Sequence, residues 1–170
     1  RSDNGQLIRD MKAMTAYIDT DRTKAVYGLH NRMQRGNSNH KKAINYNTMV
    51  EGFHVACKTD FACIALSSLT NDPICESDNM LLTTIGRARN SGAQFDGTKM
   101  LELGHAPIEA EVIHAHVKLK TEHGQRMTVW GINAEGLYAG QLPTTYEDGY
   151  LCFEIGDAMN PACYYLITKE

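Results

Sequence analysis

This chain contains no run of about 18 apolar residues, so nothing in it reads as a membrane span. No signal peptide is visible, and a chain beginning at Arg1 instead of Met reads as a fragment or a processed product. There is no excess of positive charge either. Lys and Arg number 17 against 20 Asp and Glu, for a net charge of −3. The basic residues are scattered, the densest patch being His40–Lys42, so the electrostatic footprint of a nucleic-acid binder is missing. The cysteines, Cys57, Cys63, Cys75, Cys152 and Cys163, are odd in number and hold no C-x-x-C pair, which argues against a disulfide framework. Four of them sit in or beside apolar runs and read as buried small hydrophobes. Catalytic signatures are equally scarce. No G-x-S-x-G elbow, no G-x-x-x-x-G-K-[ST] loop and no G-x-G-x-x-G turn occurs, so serine-hydrolase and nucleotide chemistry have no handle. Repeats, low-complexity tracts and linkers are absent, and residues 1–170 read as a single domain able to bury a core without disulfides.

What is present is a series of short strand-like runs between turn signals. The run at 61–69 (FACIALSSL) precedes Asn71-Asp72-Pro73, a turn-initiating cluster. The run at 79–88 ends in Asn90-Ser91-Gly92. Residues 106–121 form the longest strand candidate, with Ile113, Ala115, Val117 and Leu119 on one face and His114, His116, Lys118 and Lys120 on the other. His123-Gly124 turns the chain, and 126–132 returns as the partner strand. Asp148-Gly149 is a hairpin signal. The C-terminal half therefore reads as a β-meander. In the N-terminal third the pattern leaves helix and strand open, and 34–47 reads as a polar loop. The fold class expected is all-β, a jelly-roll-like β-sandwich of short antiparallel strands.

Few residue groups suggest chemistry. His114 and His116, at i and i+2 on a strand, share a face, which suits a metal ion. The carboxylate and later histidine of a cupin-type site do not follow at the right spacing, and Lys118 and Lys120 continue the same stripe. Glu109 and Glu111 also share a face, but catalytic carboxylate pairs normally oppose each other across a cleft. Aromatic residues remain. Trp130, Tyr138 and Tyr146 are the candidates for stacking on sugar rings, the last two because they lie near turns. Trp130 shares its strand face with Thr128 and Ile132. Two arginines, Arg87 and Arg89, also at i and i+2, point to carboxylates of a neighbouring strand or domain.

The segment KTDFACIALSSLTNDPICESDNMLLTTIGRARNSGAQFD, residues 58–96, resembles part of the C-terminal β-sandwich domains of multidomain bacterial glycoside hydrolases. Its most specific part is Ser77–Gly92. Ser2–Asp10 and Tyr17–Gly28 are similar to the opening strands of such domains, except that Asp21 stands where the pattern usually has proline. The segments from Gly104 to Thr121, Val129 to Gly140 and Tyr150 to Gly156 are similar to the closing strands. The resemblance implies a non-catalytic accessory module that follows a catalytic (β/α)8 barrel on the same polypeptide and contacts polysaccharide or oligosaccharide. It carries no ligand-binding residues with it. Three functions follow as expectations: carbohydrate binding, a purely structural domain packed on the barrel, or a jelly-roll metalloenzyme using His114 and His116. No cofactor is implied, with a structural calcium left open. The resemblance implies an extracellular or cell-surface setting, whereas unpaired cysteines point to a reducing, cytoplasmic one.

Overall fold

The computed structural model describes residues 1–30, 46–156 and 161–170. Among the described residues there are sixteen strands and no α-helix. They are β1 (Leu7–Asp10), β2 (Thr15–Asp19), β3 (Thr23–Leu29), β4 (Phe53–Cys57), β5 (Phe61–Ser68), β6 (Asn79–Ile85), β7 (Ala88–Ser91), β8 (Gln94–Asp96), β9 (Lys99–Glu102), β10 (His105–Ala110), β11 (Ala115–Lys120), β12 (Met127–Ile132), β13 (Tyr138–Leu142), β14 (Thr144–Glu147), β15 (Tyr150–Ile155) and β16 (Tyr164–Lys169). An eight-stranded sheet runs β1-β2-β3-β5-β6-β16-β12-β13, and a four-stranded sheet runs β14-β15-β11-β4. The pairing is antiparallel throughout both sheets. The expected all-β sandwich is thus the architecture found.

Its core follows from the period-2 alternation of the strands. The large sheet turns Val26, Ile64, Leu66, Met80, Leu82, Val129, Tyr165 and Ile167 inward, and the small sheet turns Phe53, Val55, Val117, Leu119, Leu151 and Phe153 inward. Burying side chains of this size contributes about 1.5–3 kcal/mol each in transfer free energy, which is why no disulfide is needed. All five cysteines are thiols, and only Cys57 is fully buried. Cys163 is exposed, so the reading of the cysteines as buried fillers holds for fewer of them than expected. Among the described residues no helix is long and apolar enough to cross a membrane.

The chain trace departs from the sequence reading in three places. The long candidate at 106–121 is two strands, β10 and β11, separated by residues 111–114. The predicted faces of its second half are correct, with Ala115, Val117 and Leu119 buried. Secondly, the C-terminal half is not a meander. β11 pairs with β15 and β4, whereas β12 pairs with β13 and β16 in the other sheet. The link at 121–126, with a single 3-10 turn at Gly124–Arg126, carries the chain across the sandwich instead of folding it back on itself. Thirdly, the ambiguous N-terminal third is a strand ladder, β1 to β3. The loop expected at 34–47 lies, up to residue 45, outside the described residues, as does the basic patch at His40–Lys42. The hairpin signal at Asp148-Gly149 does join β14 to β15, with φ of 53° and 81° at the two turn residues, the double positive φ of a type I′ turn.

Between β6 and β11 the chain leaves the sandwich. β7 pairs with β10, and β8 with β9 at the far end, forming a two-stranded arm. Phe95, Met100, Leu101, Leu103 and Ile108 are exposed along it, Ile108 by 70%.

Candidate functional site

The outer face of the eight-stranded sheet is set by the residues of opposite parity to the core. From β3 to β13 these are Thr23, Ala25 and Tyr27; Phe61, Cys63, Ala65 and Ser67; Asn79, Leu81, Thr83 and Ile85; Tyr164, Leu166 and Thr168; Thr128, Trp130 and Ile132; and Tyr138 and Gln141. None carries a charge. The only charged residues in these six strands are Lys24 and Lys169, and both belong to the inward parity at the rim. There they are held by Asp19 and Asp78, the latter at 2.6 Å. Lys169 beside it also holds the Asp78 carboxyl below its usual range. Tyr138 is 64% exposed, Ile85 56% and Tyr164 44%.

Two of the three aromatic candidates meet on this face. The rings of Trp130 and Tyr138 lie 5.3 Å apart, tilted by 58°. Trp130 Nε1 donates to Thr128 Oγ1 at 3.2 Å, two positions back on the same face. Tyr146 is elsewhere. It sits on β14 of the four-stranded sheet, packs against the core, and donates its hydroxyl to the Thr121 carbonyl at 3.0 Å. Its ring lies so close over Gly124 that no side chain fits there. The sequence reading passed over Tyr164, Leu81 and Leu166 as surface residues. The available signal was that NMLLTTI, YYLITK and MTVWGI are apolar at both parities, the pattern of strands covered on both sides.

The His114-His116 pair does share the outer side of the four-stranded sheet, but the two rings serve different neighbours. His116 Nδ1 lies 3.0 Å from Glu154 Oε1, while His114 lies against Gly156. Among the described residues no group of three or more His, Cys, Asp or Glu is placed to hold a metal ion. The rest of this face is occupied by its own side chains. The His54 and Tyr150 rings stack at 5.3 Å, and Lys118 Nζ stands 5.0 Å from the Tyr46 ring centroid. Burial, and then the Lys118 charge, push His54 below its ordinary value. Burial, and then the negative charge of Cys152 and Glu154, push Tyr46 up. Burial also raises Cys152. At neutral pH these groups are therefore held in their uncharged forms, and none of them is an activated nucleophile.

The two carboxylates of one strand face are on the arm. Glu109 Oε2 is 3.7 Å from Arg89 Nε, and Glu111 Oε2 accepts from the Arg87 backbone N–H at 3.3 Å. Glu109 pairs with Arg89 across the ribbon, the partnership expected for that arginine, while Glu111 meets only the backbone of Arg87. At the arm's base an open hollow is lined by Lys58, Thr59, Asp60, Glu111, Val112 and His114, with both signs of charge on its rim. Compared with protein-family models, with curated proteins and with solved structures, the chain finds no match, which leaves its two sheet faces and its arm to speak for its function.

Proposed function

We propose that the chain is a non-catalytic accessory module of a polysaccharide-degrading glycoside hydrolase, and that the outer face of its eight-stranded sheet is an assembly surface for protein. The charge-free face carries this reading. Six strands at about 4.8 Å spacing and about 20 Å long give a face on the order of 600 Å². That extent approaches the ~800 Å² per partner of a standard interface. Leu81, Leu166, Ile85 and Ile132 supply its aliphatic area, and uncharged hydroxyl, amide and aromatic side chains make up most of the rest. The resemblance of residues 58–96 supplies a neighbour, a catalytic barrel on the same polypeptide. Radical footprinting tests the reading. Trp130, Tyr138, Tyr164 and Leu166 are expected to label strongly in the dilute isolated module and several-fold less within its parent polypeptide. Equal labelling in both sinks the assembly surface.

A second reading has its own observation, the Trp130–Tyr138 ring pair at one end of the face. Two adjoining exposed rings are a minimal platform for a pyranose ring. Affinity electrophoresis against plant polysaccharides is expected to retard the module, with Trp130→Ala and Tyr138→Ala each removing the retardation. Unretarded migration on every glycan leaves only the structural role.

A further inference from the structure

We propose that the eight-stranded face is covered by the β7–β10 arm of a second copy of this chain, exchanged reciprocally between two molecules. This inference rests on the assembly-surface reading and names the occupant of that surface. It begins with the sidedness of the arm. Residues directly opposite in an antiparallel pair share a side. Arg87, Arg89, Glu109 and Glu111 therefore form one side, where Glu109 pairs with Arg89, and Ala88, Asn90, Ile108 and Ala110 form the other, with no charge. In the separate β8–β9 ribbon at the tip, Phe95 opposite Met100 forms an apolar side, and Gln94 opposite Glu102 and Asp96 opposite Lys99 form the other. A two-stranded ribbon by itself is marginal in water. An amphipathic one that lies on neither sheet of its own molecule needs another surface for its uncharged side.

The same chain displays that surface. The arm's uncharged side and the outer face of the large sheet from β3 across to β13 are both free of charge, with Arg9 on that side only at the far edge in β1, so pressing the arm on those six strands desolvates no ion. Dimensions agree as well. From Ala88 to the tip is about 11 residues, on the order of 35 Å at about 3.4 Å each, enough to cross a six-stranded face about 29 Å wide. Area then decides the symmetry. A ribbon about 10 Å wide covers on the order of 350 Å², so arm stacked on arm buries only about 700 Å² in total, the scale of a crystal contact. Reciprocal exchange doubles this to about 1,400 Å² in total, within the range of stable interfaces. The arrangement closes on a two-fold axis, leaving neither arm nor face open for further growth.

Sedimentation equilibrium of the 170-residue chain provides the test. The expected species is a dimer of twice 18.9 kDa. Ile108→Glu on the arm and Leu166→Lys on the face are each expected to weaken dimerisation about 100-fold or more, because each buries two unpaired charges in the dimer. Both variants keep the wild-type circular dichroism spectrum, since both positions are outside the core. Mixed in equal amounts they re-form a dimer, because one arm–face contact is unaltered and the other sets a glutamate-bearing arm on a lysine-bearing face. A wild-type monomer at 100-fold the working concentration overturns the proposal, as do a dimer indifferent to Ile108→Glu and a mixture that stays monomeric. If the monomer's face is nonetheless shielded from footprinting within the parent polypeptide, the assembly surface stands and its occupant is the catalytic neighbour. If the face labels equally in both, the assembly reading falls too.

Discussion

Replacing Gly124 by alanine tests how the small sheet is fastened to the 3-10 turn. A methyl group at Gly124 overlaps Cδ2 and Cε2 of Tyr146 and comes to 3.1 Å from its Cγ. Either the turn moves or the ring does. If the turn moves, the cost is that of overpacking a well-fitted site, about 1–3 kcal/mol. If the ring swings out, the Tyr146 hydroxyl loses the Thr121 carbonyl, about 1 kcal/mol. It also uncovers roughly 60 Å² of apolar ring, about 1.5 kcal/mol at about 25 cal/mol/Å². Both routes converge on about 2–3 kcal/mol. At about 2.1 cal/mol/K per residue the entropy of unfolding is on the order of 0.36 kcal/mol/K for a chain of this length, so Tm falls by about 7 °C. Calorimetry of Gly124→Ala, Tyr146→Ala and the double variant isolates the cause. With the ring gone, Gly124→Ala costs within about 0.5 kcal/mol of nothing, a coupling of about 2 kcal/mol. Additive losses would refute the clamp and return Tyr146 to the pool of exposed aromatics.

Burial pushes the Cys57 thiol up to about 11 from its ordinary 9.0. The unfolded chain therefore releases its proton first, so stability falls as pH rises from about 9 towards 11. Urea midpoints across that window are expected to drop by one proton's worth, and Cys57→Ala flattens this part of the profile. A thiol-reactive disulfide reagent at pH 8 should modify exposed Cys163 at least tenfold faster than Cys57. The histidines give the opposite slope. Burial lowers His30 and His54, so below their ordinary value of 6.5 the unfolded state binds protons that the folded state refuses, and stability falls with the pH. His54→Phe keeps a ring against Tyr150 and should reduce the loss of Tm between pH 7 and 5; an unchanged loss would assign it to other groups.

The alternation of FACIALSS and of residues 113–120 made the inward faces legible in the sequence, and Asp148-Gly149 made one hairpin legible. Periodicity reports which residues share a face, however, and not which strand lies alongside. It placed Ala115, Val117 and Leu119 correctly while giving β11 the wrong partner, because the pairings with β15 and β4 are set by long-range packing. The break at 111–114 was invisible for a related reason: both halves alternate, and only the second has a core to face. Of the candidate site, Tyr138 could be found as an aromatic near a turn and Trp130 as the single tryptophan, in mid-strand. Their adjacency depends on the β12–β13 bulge between Gly131 and Ile132, which brings Tyr138 opposite Ile132 on the same face. The uncharged outer face was written in the six strands from β3 across the sheet to β13 as a lack of charge at one parity, with Lys24 and Lys169 at the other. A missing residue type within a single strand carries little information, and only the sheet order adds six such strands into one surface.

The position of β16 has a consequence for biosynthesis. The last strand of the chain lies in the middle of the large sheet, between β6 and β12. While the protein is being made, β1, β2, β3, β5 and β6 can pair as they emerge, but the ladder stops at β6 with an open hydrogen-bonding edge. That edge stays open until β16 has been made. Once β12 and β13 have formed, the nascent chain holds a five-stranded and a two-stranded piece with open borders, and β16 must insert between them. A chain cut before Tyr164 therefore leaves the sheet parted between β6 and β12, a state prone to pair with the wrong chain.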